Sequence, residues 1–258
     1  MMPLRAQYIA FQTILIKEIL RFTRIWIQTV LPPAITVFLY FIIFGSLIGP
    51  RLGEMAGIPY MRYIAPGLIM MAVISNAYSN VVSSFFSAKF QRHIEEMLVS
   101  PLPNYVILLG FVAGGLARGL VVGAVVTAVA MLMASVPVQH PLITMAMIAL
   151  TAVLFALGGF INGVYARSFD DISIIPTFVL TPLTYLGGIF YSIDMLPEFW
   201  RQVSLFNPIL YMINAFRYGI LGVSDIDVGF AFLITVLFIV TLFGHSLWLL
   251  HRGVGIRG

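Results

Sequence analysis

The sequence predicts an all-α membrane protein with six transmembrane helices. An N-terminal amphipathic interfacial helix precedes them, an external re-entrant helical hairpin joins spans five and six, and both termini are cytoplasmic. Three observations lead there. Of 258 residues, 60% are hydrophobic and only 9% charged, with a mean hydropathy of +1.02; soluble domains carry about 25% charged residues. Six apolar runs, near 29–49, 64–86, 114–136, 142–165, 172–191 and 229–250, reach the roughly 20 residues that a helix needs to cross hydrocarbon. The runs are continuous rather than alternating, which excludes a closed barrel, the other backbone solution in lipid. No internal repeat divides the chain, so residues 1–258 are expected to form one transmembrane domain.

Residues 4–28 come first. Thr13, Lys17, Arg21, Arg24 and Gln28 form one polar stripe on a helix otherwise rich in Ile9, Leu15, Ile16, Ile19, Leu20 and Ile27. A basic amphipathic helix of this kind lies in the headgroup plane. No cleavable signal pattern precedes span one, which is expected to direct its own insertion. Lys and Arg collect on the cytoplasmic side of membrane proteins. One face holds Arg5, Lys17, Arg21, Arg24, Lys89, Arg92, Arg167, Arg252 and Arg257, and the other holds Arg51, Arg62, Arg201 and Arg217. That imbalance makes both termini cytoplasmic.

Polar side chains are uneven among the spans. Span two carries Ser75, Asn76, Tyr78, Ser79, Asn80, Ser83 and Ser84, and span five carries Thr177, Thr181, Thr184 and Tyr185; spans one and six are far more apolar. Polar groups at membrane depth face protein or a wet cavity. Ser75, Asn76, Tyr78, Asn80, Ser83, Thr177, Thr181, Thr184 and Tyr185 are therefore expected to line any passage. The connection after span two, KFQRHIEEMLVSPLPN (residues 89–104), is the one cytoplasmic loop dense in both charge and apolar groups. Lys89, Arg92, Glu95 and Glu96 can share a side of a short helix, a surface suited to a cytoplasmic partner.

Arg118 is the one formal charge inside an apolar run. One turn into span three, it is expected to snorkel to the headgroups. Gly115, Gly119 and Gly123 form a small-residue face on the same helix, suited to close packing. Asp170 and Asp171 precede span five, where acids cap free backbone amides. Their alternative use is chemistry on lipid headgroups by a membrane-embedded enzyme.

Residues 194–222 fit neither water nor lipid, with two arginines among many large apolar groups. Asn207-Pro208 reads as a helix start, and the run to Gly222 is too short to cross. Asp194 and Pro197 open a shorter helix before it. The pair is expected to form a hairpin dipping into the outer leaflet, its apolar faces against the spans, with Arg201 and Arg217 in water or on a phosphate.

Several functions are excluded or demoted. Lys17 and Lys89 are the only lysines and neither stands in a G-x-x-x-x-G-K-[ST] motif, so ATP hydrolysis by a P-loop is absent from this chain. There is no H-E-x-x-H, the four histidines are scattered, and with no cysteine there is no disulfide or thiolate metal site. No cofactor and no nucleic acid are implied; the net charge of +4 suits anionic membrane lipids.

Two stretches carry a family resemblance: LTPLTYLGGIFYSIDMLP (Leu180 to Pro197) with FNPILYMINAFRYG (Phe206 to Gly219), and IEEMLVSPL (Ile94 to Leu102). They resemble bacterial ABC export permeases of the second type, and the likeness runs over essentially the whole chain. It implies a non-enzymatic subunit of the bacterial inner membrane that pairs as a homodimer and works with two copies of a separate P-loop ATPase. Lys17 and Arg21 of the first helix and Lys89, Arg92, Glu95 and Glu96 of the loop would meet the ATPase. The hairpin, with Trp200, Asn207, Pro208, Asn214 and Arg217, would gate the external exit.

Overall fold

The computed structural model describes residues 2–255; Arg257, counted above with the cytoplasmic charges, lies outside them. Within that range the regular structure is helical, apart from one tiny hairpin. Helix α1 spans Leu4–Arg24 and breaks at Ile25, whose φ of −114° and ψ of 34° are not helical. Helix α2, Trp26–Leu52, follows. Pro32 and Pro33 lie inside it, and residues Phe41–Ile48 relax into wide π-type turns. Strands β1 (Glu54–Met55) and β2 (Ile58–Pro59) pair antiparallel, Glu54 opposite Pro59. Their turn places Ala56 and Gly57 at φ of 51° and 73°, the left-handed pair that suits a two-residue hairpin.

Helices α3 (Tyr60–Phe90), α5 (Asn104–Ala134) and α6 (Pro141–Tyr165) form the centre, with the short α4 (His93–Val99) between the first two. Helix α3 packs along both α5 and α6 and is buried over most of its length. Helix α7, residues 171–185, is helical at Asp171–Ile175 and Thr181–Tyr185 with a wide turn over Pro176–Leu180 between them. There the Thr181 amide and hydroxyl both donate to the Pro176 carbonyl. A single 3-10 turn at Ile193–Met195 leads to α8 (Glu198–Leu205), α9 (Pro208–Leu221) and α10 (Val228–Arg252).

Among the described residues, five helices are long and apolar enough to cross a membrane: α2, α3, α5, α6 and α10. The expected fifth span, 172–191, is shorter than predicted. Its helix ends at Tyr185 because Gly188 turns left-handed at φ 73°, letting α9 approach. Fifteen residues reach about 22 Å at about 1.5 Å each, less than the ~30 Å of hydrocarbon. Helix α9 starts beside α7, the Asn207 Nδ2 donating to the Leu183 carbonyl at 2.6 Å. It ends where the Gln139 and His140 amides donate to the Ile220 and Gly219 carbonyls. Twelve of its fourteen residues are buried among α3, α6 and α10.

Helix α1 runs alongside the first part of α5, in the same direction. Tyr105 donates to Gln7, and an added Cβ on Gly110 or Gly114 would meet Ile14 or Glu18. Its buried side is Ile14, Glu18 and Phe22, while Thr13, Lys17, Arg24 and Gln28 stay outside.

Glycine permits the central contacts, as the small-residue face of span three suggested. An added Cβ on Gly115 would lie 2.5 Å from Val81 and 2.8 Å from Ala156, and one on Gly123 would press on Ile148 and Val73. Adjacent glycines on α6 separate packing from propensity. A Cβ on Gly159 would overlap the Tyr78 carbonyl, whereas one on Gly158 would sit 3.6 Å from the Tyr78 ring. Gly159→Ala should therefore destabilise the purified protein by about 1–3 kcal/mol. Gly158→Ala should leave it unchanged or up to ~1 kcal/mol more stable. Thermal unfolding in one detergent checks both; equal shifts would mean that α3 and α6 are not this close.

Candidate functional site: a polar wall on α3 and its two ends

The polar side chains of α3 divide into three groups. One faces an opening between α3 and α7, lined by Ser75, Tyr78 and Ser79 from one helix and Thr181 and Thr184 from the other. A second cleft of about 210 Å³, between α2 and α3, shares Met71 and Ser75 with it and adds Thr36, Tyr40 and Asn76. Of the residues expected to line a passage, Ser75, Asn76, Tyr78, Thr181 and Thr184 thus meet in adjoining space. Tyr185 stands at its rim, its hydroxyl 2.6 Å from that of Tyr40, and Thr177 is exposed on the open side of α7. Tyr40 was not foreseen: a lone tyrosine in span one gives no periodic signal.

The second group is taken up by α1. Arg21 Nη2 donates to the backbone carbonyl and side-chain oxygen of Asn80, both at 2.7 Å, and Nη1 reaches Ser83 Oγ at 3.4 Å. Glu18, fully buried, accepts from Ser84 Oγ at 2.5 Å and pairs with Arg21 at 3.4 Å. Asn80 and Ser83, expected in a passage, serve this anchor instead. Glu18 was not foreseen, although its spacing of four from Ile14 and Phe22 puts an acid on the buried stripe. Arg118 is likewise held by protein: its guanidinium donates to Asn76 Oδ1 at 3.0 Å. Snorkelling is not needed to satisfy it.

The end of the bundle that carries Lys89 forms the third group. Lys89 Nζ donates to the Val164 and Ala166 carbonyls at 2.6 and 2.7 Å, clamping α3 to the last turn of α6, where free carbonyls are expected. Arg92 begins α4 in a left-handed conformation, φ 61°. Ile94 is fully buried and pins α4 to the bundle, leaving Glu95 and Glu96 exposed on its outer side. Lys17 is exposed on α1.

At the opposite end, α9 carries a buried lock. Arg217, expected in water, has no exposed surface. Its guanidinium stacks 4.1 Å from the Tyr63 ring centroid and donates to the Gly188 carbonyl and to Asn214 Oδ1. Asp225 lies 3.9 Å away, and its carboxylate accepts from the Ile193 amide. Asn214 Oδ1 also accepts from the Asp225 amide at 3.1 Å. Asn207 Oδ1 caps α9 at the Ile209 amide, directly after which Pro208 opens the helix. Helix α8 contrasts with this: Phe199, Trp200 and Phe206 are exposed, and Arg201 pairs with Asp194 at 3.1 Å. The expected burial of both apolar faces holds for α9 and fails for α8.

Residues 9–221 match the family model described as the ABC-2 type transporter. The chain belongs to that family. It is 56% identical over 250 residues to the inner membrane transport permease YadH of Escherichia coli strain K12, covering 97% of this chain and 98% of that one. It is 25% identical over 209 residues, 81% of each chain, to nodulation protein J of Rhizobium leguminosarum bv. viciae. An ABC-2 type transporter chain with this composition is a multi-pass membrane transport subunit.

In this ABC-2 type chain Asp171 is engaged at the start of α7. Ser168 Oγ accepts from the Asp171 amide at 3.2 Å, and Asp171 Oδ2 accepts from the Ser168 and Arg167 amides at 3.1 and 2.8 Å. This is a reciprocal capping box. The Arg167 amide foremost, then Ser168, holds the Asp171 carboxyl below its ordinary range, so it stays ionised at neutral pH and cannot act as a general acid. Among the described residues, no group of three or more His, Asp or Glu could hold a metal ion.

The lock on α9 yields a direct test. Arg217→Gln leaves Asp225 without its counter-charge in a largely buried site, a change worth about 3–5 kcal/mol for buried pairs. Arg201→Gln breaks an exposed pair worth about 1 kcal/mol or less. Thermal unfolding should separate the two clearly, and Arg217→Gln/Asp225→Asn should cost less than the sum of its single changes. Equal small shifts from Arg217→Gln and Arg201→Gln would remove the lock.

Proposed function

We propose that the chain is the permease subunit of an ATP-driven exporter. Two copies enclose a pathway about a two-fold axis, and each engages a separate ATPase at the end bearing α1 and α4. The observation that carries this reading is the incomplete wall. Ser75, Thr177 and Thr181 are exposed on one chain, beside exposed Ile35, Phe38 and Leu39 of α2 and Phe178 of α7. Polar groups cannot face lipid without a partner, and closed symmetry is the usual way to supply one. The absence of a P-loop requires a separate source of ATP hydrolysis. Export rather than import, and cytoplasmic placement of the Lys89 end, rest on the resemblance and on the distribution of Lys and Arg.

On this reading Glu95 and Glu96 dock on the ATPase, with Arg92 and Lys17 nearby, while Arg21 ties α1 to α3 and Lys89 ties α3 to the end of α6. The external gate divides in two. Helix α9, with Asn207, Pro208, Asn214 and Arg217, is the fixed seat, and α8, with Trp200, is the part that moves.

Two experiments test these assignments. Glu95→Lys/Glu96→Lys should reduce ATPase co-purification at least about tenfold, some 1.4 kcal/mol of binding, with the permease still inserted; undiminished co-purification refutes the docking site. Gln202→Cys on exposed α8, in a chain without cysteine, should change its labelling by an impermeant external thiol reagent when ATP binds the partner. Identical labelling with and without nucleotide means that α8 does not gate.

A further inference from the structure

We infer that the cleft at the Lys89 end of the bundle binds the phosphate headgroup of an anionic membrane phospholipid. The cleft, of about 720 Å³, lies where α3, α6 and the turn after α10 meet. It needs only that the chain lie in a membrane, not the exporter reading above.

Three cations line it, Lys89, Arg92 and Arg167, against one acid, Glu95. Among the described residues, neither Arg92 nor Arg167 has an ion-pair partner. Lys89 spends two of its three N–H groups on the Val164 and Ala166 carbonyls, and the ammonium has one more to give. Guanidinium groups bind phosphate through paired, charge-assisted hydrogen bonds. With Glu95 in the lining and Asp171 bound at the Arg167 amide, the cleft still has free donors and a net positive charge.

Charge alone would serve a soluble anion equally well. The other walls decide between them. Phe86 and Phe90 border the cleft, and Phe169 packs edge-on against both at 4.9 and 5.3 Å. Phe90, Phe169 and Tyr165 remain 64%, 54% and 52% exposed. Exposed rings beside cations at the ends of spanning helices match the headgroup layer, where aromatic side chains collect. A basic pocket between helix ends is also how anionic headgroups are held. Phosphate on the arginines with glycerol and upper acyl chain on the rings satisfies both walls; inorganic phosphate satisfies one.

The full chain, purified without any ATPase, can be titrated with phosphatidylglycerol and phosphatidylethanolamine of identical acyl chains and read by native mass spectrometry. Phosphatidylglycerol should bind about tenfold more tightly, a difference that Arg92→Gln/Arg167→Gln abolishes. Lys89 is left in place because it clamps α6. Arg5→Gln/Arg24→Gln, which removes two charges outside the cleft, should preserve the preference, and millimolar inorganic phosphate should not displace the lipid. Equal retention of both lipids overturns the inference, as does an equal loss in the Arg5/Arg24 variant or displacement by inorganic phosphate. A cleft variant that keeps its lipid but, in a separate co-purification, no longer retains an ATPase would assign the cleft to that protein instead.

Discussion

The burial of α3 is the constraint on which the other elements depend. This helix carries Ser75, Asn76, Tyr78, Ser79, Asn80, Ser83 and Ser84, and a stretch so polar cannot rest against acyl chains. It is surrounded instead, by α5 and α6 along its flanks and by α1 and α9 near its two ends. Helix packing in lipid gains little from the hydrophobic effect and rests on close contact and hydrogen bonds between helices. The glycines supply the contact and the polar stripe supplies the bonds. Gly159 lets α6 reach the backbone of α3 at Tyr78, and Gly114 lets α1 bring Glu18 to Ser84.

Much of this was legible because membrane helices obey few rules, and those rules act on composition. Spans one to four and six appear near the predicted positions, since an apolar run of sufficient length has no competing conformation in lipid. The meeting of Ser75, Tyr78, Thr181 and Thr184 also follows from one rule: polar side chains at depth must find each other. Where the reading failed, the deciding interaction was a specific pairing across distant sequence. Span five ends early because Arg217, some thirty residues on, takes the Gly188 carbonyl. Asn80 is bound to α1 because Arg21, from the first helix, takes its side-chain oxygen. Periodicity reports which face of a helix is polar; it does not report which partner reaches that face first.

The two ends of α3 are each fixed by a charge from another helix. At one end, Arg217 inserts a charge from α9 beneath Tyr63, where the ring face and Asp225 offset the loss of water. Buried pairs of this kind contribute little net stability but are costly to break singly, so they specify one arrangement. At the other end the Arg21 side chain, about a third exposed, holds Asn80 and Ser83 and pairs with the fully buried Glu18. That pairing is also costly to break singly, because Glu18 would stay buried without its counter-charge. Both ends of α3 are thus held by charges that need their partners, more deeply buried where α9 seats than where α1 attaches.

This asymmetry bears on how movement could travel through the molecule. Helix α3 runs unbroken for 31 residues from Tyr60 to Phe90, with its cavity-facing Ser75, Tyr78 and Ser79 between the Tyr63 seat and the neighbouring Asn80 anchor. A displacement applied to α1 or α4 would reach Ser75 and Tyr78 as a tilt of one rigid rod about the Arg217 seat. The opposing walls are built differently. Helix α2 has wide turns over Phe41–Ile48, and α7 has them over Pro176–Leu180, beside Thr181. Such turns exchange a regular hydrogen-bond ladder for a looser one and are frequent at functional sites. A rigid helix facing two helices with loosened turns lets a tilt change the width of the space between them without unfolding either side. The polar wall is carried by the unbroken helix, and the wide turns belong to α2 and α7, which face it.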